Sequence, residues 1–167
     1  MEFQKAVKTD VDSIMNIIRQ AQSYFKEHGI NQWQDNYPNL ETINNDIKVG
    51  TGYILLKDDF IVGTVVVTFE VEKNYESIHN GGWIRNDEYV VIHRMAVNSN
   101  YKGLGLSSII IKNIVKICLE KCIHSIRIDT HEENISMMKL LSKTGFQYCG
   151  IIYLDDKSKR LAFQKLL

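Results

Sequence analysis

The chain has one proline and three cysteines in 167 residues, and its 20 Lys and Arg are matched by 20 Asp and Glu. Each scarcity excludes something. No Pro/Ser/Gly-rich linker, low-complexity tract or long repeat marks an internal boundary, so residues 1–167 are expected to form a single domain. An odd number of cysteines does not make a disulfide framework, and Met1–Asp10 lacks the apolar core of a signal peptide, so a reducing cytoplasm is the expected location. No apolar run approaches the roughly 20 residues that a membrane helix needs, so no membrane partner is expected. A formal net charge of zero, with its cations scattered, provides no long-range field for a polyanion, so no nucleic-acid partner is expected either. Any anion site has to be built locally.

What is present is an ordinary globular composition, 44% hydrophobic and 24% charged. At this length folding buries roughly 70% of the unfolded chain's surface, enough for a core without a structural metal. A short strand is expected over Phe3–Val7. Thr9 then caps a helix whose apolar residues Val11, Ile14, Ile18, Ala21 and Phe25 keep the spacing of one face up to Gly29. After a loop holding Trp33, Gln34, Tyr37 and the lone Pro38, a second helix carries Leu40, Ile43 and Ile47 as far as Gly50. Tyr53–Lys57 and Ile61–Val71 read as a hairpin across Asp58-Asp59-Phe60, and Glu88–Val97 as a long strand. Ser107 or Ser108 caps a helix running to about Lys121. Strand His124–Asp129, a helix from Asn134 to Lys143, and strands Phe146–Leu154 and Arg160–Leu166 complete a mixed α/β order.

The stretch richest in chemistry is Val90–Ser108, where a strand feeds Lys102-Gly103-Leu104-Gly105-Leu106-Ser107 and opens a helix. Glycines let backbone amides turn toward a ligand, and a helix N-terminus adds free N–H groups and a positive dipole end, so a pyrophosphate can be held there with few basic side chains. A plain glycine turn with a capped helix is the alternative. A triphosphate P-loop is excluded, because no Gly-Lys-Ser/Thr order follows. A dinucleotide fingerprint is closer: Gly103, Gly105 and Ser108 keep its spacing, and Asp129 ends the next strand where a ribose-binding acid belongs. Against it, Ser108 fills the third glycine position, Asn98–Lys102 separates strand from glycines, and too little chain remains after Asp129 to complete that fold.

Lys102, Gly105 and Ser107 also stand at the marked positions of Gln/Arg-x-x-Gly-x-Gly/Ala, and Asn134, Leu140, Gly145 and Phe146 fit Asn-x-x-Ala-x-x-Leu-Tyr-x-x-x-Gly-Phe. In these two segments and in its element order the chain resembles the Gcn5-related N-acetyltransferase (GNAT) superfamily. The resemblance implies a mixed, largely antiparallel sheet, splayed at a cofactor wedge and flanked by about four helices. It implies acetyl-coenzyme A as acyl donor, held by the backbone of Met95, Ala96 and Val97, by Lys102, Gly103, Leu104, Gly105, Leu106, Ser107 and Ser108, and by Asn134 and Lys139. Each of these has a plainer reading: Met95 and Val97 as core, Asn134 as a helix N-cap, Lys139 as a solvated charge.

The implied reaction is direct attack of a neutral amine of a small molecule or peptide on the thioester. Glu88 and His93 are the candidate bases, although regular strand parity puts them on opposite faces unless a bulge intervenes. Leu141 stands where many members carry a tyrosine acid, so Tyr148 or Tyr153 on the following strand, or Ser142, is the candidate replacement, and a thiol of pKa about 8.5 leaves tolerably without one. Trp33, Gln34 and Tyr37 are the candidate acceptor contacts, with local packing as their alternative. Cys118 and Cys122 near His124 and His131 form no C-x-x-C pair and read as packed helix residues; the transfer requires no metal. A homodimer is left open. A coenzyme A-binding protein without turnover, and a nucleotide-dependent oxidoreductase, are the competing readings.

These readings separate by ligand-induced stabilisation: acetyl-coenzyme A and coenzyme A should each raise the melting temperature by several degrees, and NAD at matched concentration should not. Stabilisation by NAD alone would reverse the order of the hypotheses.

Overall fold

The buried residues Val11, Ile14, Met15, Ile17, Ile18 and Phe25 recur at helical spacing, and they form the inner face of α1, Val11–Glu27. The helix starts later than a Thr9 cap would place it. A 3₁₀ turn, Lys8–Asp10, comes first, with the Asp10 carboxylate accepting the Val7 N–H at 2.8 Å. In α2, Leu40–Lys48, Asn39 is the N-cap: its side-chain oxygen accepts the Thr42 N–H at 3.0 Å.

The computed structural model describes residues 1–167 and is mixed α/β, with four helices and a seven-stranded, mostly antiparallel sheet. Besides α1 and α2 the elements are β1 Glu2–Lys5, β2 Gly52–Lys57, β3 Phe60–Thr68, β4 Val90–Val97, α3 Leu106–Glu120, β5 Ser125–Thr130, α4 Ile135–Lys143, β6 Gln147–Tyr153 and β7 Lys159–Leu166. Strand order is β1-β2-β3-β4-β5-β7-β6. The β2–β3 hairpin turns on Asp58 and Asp59, both left-handed (φ 49° and 65°), the backbone that a two-residue turn requires to match strand twist. Parallel pairing of β4 with β5 needs a crossover, which the glycine loop and α3 supply. No helix is long and apolar enough to cross a membrane.

Several expected boundaries move. The strand expected over Ile61–Val71 stops at Thr68, and α3 begins at Leu106, so Ser107 and Ser108 lie inside its first turn and are not caps. The strand expected from Glu88 begins at Val90, where pairing with β5 at Ile126 begins, so Glu88 sits in the exposed segment before it.

The chain divides into two compact units, Met1–Val67 with Arg94–Asn113, and Thr68–His93 with Ile114–Leu167. The core of the first gathers Ile14, Ile17 and Ile18 of α1, Ile43 of α2, Ile54 of β2 and Ala96 of β4. A core of the second gathers Tyr75, Val91, Ile152 and Ala162, with Trp83 and Tyr89 packed against it. There the buried Gln164 of β7 donates to Ser125 Oγ (2.7 Å) and to the Arg85 carbonyl (2.9 Å) and accepts the Ile84 N–H (2.7 Å), which fixes the segment before β4. Gly81 lies so close to β6 that a Cβ would stand 2.0 Å from the Cys149 carbonyl oxygen.

Asn39→Ala should cost about 1 kcal/mol of unfolding free energy, the usual worth of an N-cap, read as a lower denaturant midpoint at unchanged m-value.

Candidate active site

In the first unit, β4 runs into a 3₁₀ turn, Ser99–Tyr101, pinned from both sides: the Asn98 N–H donates to the Val62 carbonyl (2.9 Å) and the Ser99 N–H to Gln20 Oε1 of α1 (2.8 Å). Gly103 (φ 83°) and Gly105 (φ 71°) are left-handed, and Leu106 then starts α3. Glycine is required there by conformation, since a Cβ at either position would meet nothing within 4 Å. The same open space lies in front of the backbone. No protein acceptor takes the N–H of Gly103 or Gly105, and the opening amides of α3 are free by helix geometry. With no acidic residue in that first turn, these donors suit a pyrophosphate. The Lys102 ammonium lies 4.4 Å from the centre of the Tyr24 ring, at the start of the loop.

Just before the loop, Arg94 in the middle of β4 has φ 47°, a left-handed conformation that costs a non-glycine residue on the order of 1–3 kcal/mol. Its guanidinium forks onto the buried Asp46 of α2 (Nε to Oδ2 3.0 Å, Nη2 to Oδ1 2.6 Å) and donates from Nη1 to the Tyr37 hydroxyl at 2.8 Å. Met95 and Ala96, immediately after it, are buried, while Val97 is half-buried. Trp33 packs edge-on against Phe25 at 5.6 Å, and Gln34 Nε2 donates to the carbonyls of Gln32 (3.0 Å) and Gln22 (3.3 Å). Trp33 and Gln34 border a cleft of about 500 Å³ with Met15, Arg19 and Gln22 of α1, whereas the Tyr37 hydroxyl is engaged by Arg94.

The second unit holds a separate polar cluster. His93 Nε2 lies 3.3 Å from Glu72 Oε2, and the Glu72 backbone N–H donates to the Tyr89 hydroxyl at 3.3 Å. Tyr75 donates its hydroxyl to Asp129 Oδ1 at 2.7 Å, and Arg160 Nε stands 4.0 Å from Oδ2. Burial pushes the Asp129 carboxyl above the usual range, against the opposing pull of the Tyr75 hydrogen bond and of His93 and Arg160. Burial and the neighbouring Asp129 likewise drive Tyr75 well above its ordinary value. Asp129 is therefore committed within the protein and is not presented to a ribose. Arg127, its pKa lowered by burial, lies between Trp83 (4.1 Å) and Tyr89 (3.9 Å) and donates to the Arg85 carbonyl at 2.7 Å.

Asn134 is the N-cap of α4, its Oδ1 accepting the Met137 N–H at 3.1 Å, and Lys139 is exposed on the same helix. Leu141 is 0% exposed, while Tyr148 on β6 is 53% exposed and leans edge-on against Phe163 at 5.7 Å. Burial pushes the Cys118 thiol up to about 11, which keeps it protonated, and Cys122 is exposed just beyond the end of α3. Sequence reasoning passed over Arg94, Asp46, Glu72 and Tyr75. Asp46 had a signal, an acid beside Ile43 and Ile47 on the apolar side of a helix; Glu72, remote in sequence from His93, had none.

Because the folded Asp129 carboxyl titrates above its unfolded value, its contribution to stability is fullest below the unfolded pKa and is lost as pH rises through the folded one. Asp129→Asn should therefore gain melting temperature relative to wild type at pH 7 and lose that advantage below pH about 4. A difference that does not vary with pH would show that the charge is not held at a cost.

The model of the Acetyltransferase (GNAT) family matches residues 12–146. No curated protein matches the chain. Among solved structures, a GNAT-family acetyltransferase from Streptococcus agalactiae superposes with a TM-score of 0.92 at 31% identity, covering 99% of this chain and 95% of that one. The PaiA N-acetyltransferase of Thermoplasma acidophilum, in complex with coenzyme A, shares the fold at 16% identity (TM-score 0.72; 99% and 98% covered). So does the ribosomal-protein-alanine N-acetyltransferase of Brucella melitensis, at 17% identity (TM-score 0.68; 100% of both chains).

Proposed function

The chain belongs to the GNAT acetyltransferase family, and from that premise we propose that it transfers the acetyl group of acetyl-coenzyme A to a primary amine of a small molecule or peptide. The observation that carries this reading is the turn at Gly103 and Gly105, which leaves the amides of both glycines without protein acceptors in front of α3. Acetyl-coenzyme A, when bound, supplies a thioester-activated acetyl group and a thiol leaving group.

The residues of the chain divide the remaining work. Amides from Gly103 to Ser108 hold the pyrophosphate, with Lys102 adding one cation; the backbone of Met95–Val97 supports the pantetheine arm, and Asn134 and Lys139 are further contacts. An amine reaches an enzyme at neutral pH as an ammonium ion, so a base has to take its proton. His93 fits that role better than Glu88, because Glu72 stands at its Nε2 to stabilise the imidazolium. Glu88 lies outside the strand and is exposed. Tyr148 is the candidate donor to the departing thiolate. Trp33 and Gln34 at the cleft, and Tyr37 near β4, are the candidate acceptor contacts. Three free thiols support a reducing, cytoplasmic location.

A second reading, coenzyme A binding without turnover, draws on Leu141, whose buried side chain supplies no acid. Thiol release from acetyl-coenzyme A in the presence of a panel of primary amines separates the two. The expected result is amine-dependent release that falls about 10²–10⁴-fold in His93→Gln while affinity for coenzyme A is retained. Binding of coenzyme A with no amine-dependent release across the panel would overturn the transferase reading in favour of the second.

A further inference from the structure

Arg94 has no part in the chemistry above, yet it joins three elements of the first unit. Its backbone kinks β4 at φ 47°, its fork grips Asp46 of α2 at 2.6 and 3.0 Å, and its remaining nitrogen reaches the Tyr37 hydroxyl at 2.8 Å. Both partners are themselves anchored. The Asp46 carbonyl accepts the Thr51 N–H at 2.9 Å, and Gln22 Nε2 donates to the carbonyls of Tyr37 and Pro38, each at 3.0 Å. Met95–Val97 follow directly, and Asn98 then fastens to Val62 before the glycine loop.

Stability alone does not explain this choice of residue. A buried ion pair often does no better than an apolar pair of the same volume. If only the kink were needed, glycine would take the left-handed conformation without strain. If only the Asp46 charge needed an answer, lysine would neutralise it, though without a planar fork. Arginine satisfies both requirements at once and has a donor left for the loop that carries Tyr37.

We infer that Arg94 is a positioning residue that holds β4 in the turn aiming Met95–Val97 and the glycine loop, and that couples occupancy of this loop to the ordering of residues 31–39 through Tyr37. The inference rests on the acetyl-coenzyme A reading. Coupling follows because a phosphate on the loop favours one direction of β4, that direction fixes the guanidinium, and the guanidinium fixes the tyrosine hydroxyl.

The test measures coenzyme A affinity by calorimetry, and hydrogen exchange over residues 31–39 with and without coenzyme A, for wild type, Arg94→Lys, Arg94→Gly and Tyr37→Phe. Arg94→Lys should weaken coenzyme A about tenfold or more, the scale of ordinary coupling between sites. Arg94→Gly, which takes the same φ freely, should recover to within about threefold of wild type despite a lower melting temperature. Tyr37→Phe should lose the ligand-induced slowing of exchange over 31–39. The inference is overturned if Arg94→Lys binds like wild type, if glycine is no better than lysine, or if the slowing survives in Tyr37→Phe. Failure of wild type to bind coenzyme A would instead overturn the acetyl-coenzyme A reading, and this inference with it.

Discussion

β4 departs from a regular pleat at one residue, Arg94, whose φ is 47°. Val90, Val91 and Ile92 at the start of β4 are buried, and so are Met95 and Ala96 after Arg94. Strict alternation would send every second residue of that stretch to the other face. Consecutive buried residues on either side of Arg94, the one left-handed residue of the strand, therefore cover both of its faces. Such a backbone persists only where its surroundings over-determine it. Here the Asp46 fork does so: a bidentate charge-assisted pair is stronger than a neutral hydrogen bond, and its geometry admits one orientation of the guanidinium. α2, its Asn39 cap and the loop before it have their positions set partly by this need, and the glycine turn inherits its direction from it.

The absence of net charge bears on the same region. A protein that bound its donor through a basic field would show excess lysine and arginine, and it would lose affinity steeply with salt. This chain places neutral donors where an anion can meet them, and amides fixed by secondary structure need no reorganisation on binding. The pins at Asn98 and Ser99 matter for that reason: they tie the loop to β3 and α1 before any ligand arrives. Lys102 lies against the Tyr24 ring, so its charge is held near the loop by an aromatic face.

Much of this was legible from the residues because it follows from local rules. The apolar faces of α1 and α2, the left-handed glycines, the cap at Asn134 and the apolar character of Leu141 are written in spacing and residue type, and the two family motifs add the register. The kink in β4 was not legible, because a left-handed position usually announces itself as glycine or asparagine, and arginine gives no such notice. Glu88 was misplaced because the start of β4 is set by its partner strand, and sequence alone carries no trace of where that ladder begins. Trp33 was read as a contact surface; in the structure it packs against Phe25 while still bordering the cleft, a result that depends on how the 31–39 loop folds back.

The polar cluster around His93 then raises the question of which carboxylate serves it. Two stand near, and their environments differ in kind. Asp129 accepts the Tyr75 hydroxyl, has Arg160 within 4.0 Å, and is pushed toward its neutral form by burial. On the proposed mechanism, a group so placed is a poor partner for a cation that appears and disappears during turnover, because each change would have to be met inside a desolvated network. Glu72 is more accessible, sits in the segment after β3 rather than in the sheet, and meets His93 Nε2 with one oxygen. Water can share the cost of a transient imidazolium there. Asp129 and Tyr75 are held to each other by the 2.7 Å hydrogen bond, and Glu72 faces His93 at 3.3 Å. On the proposed mechanism, proton handling at the β4–Glu72 side and a leaving thiol of modest basicity ask nothing of the α4 position, where the buried Leu141 fills the core.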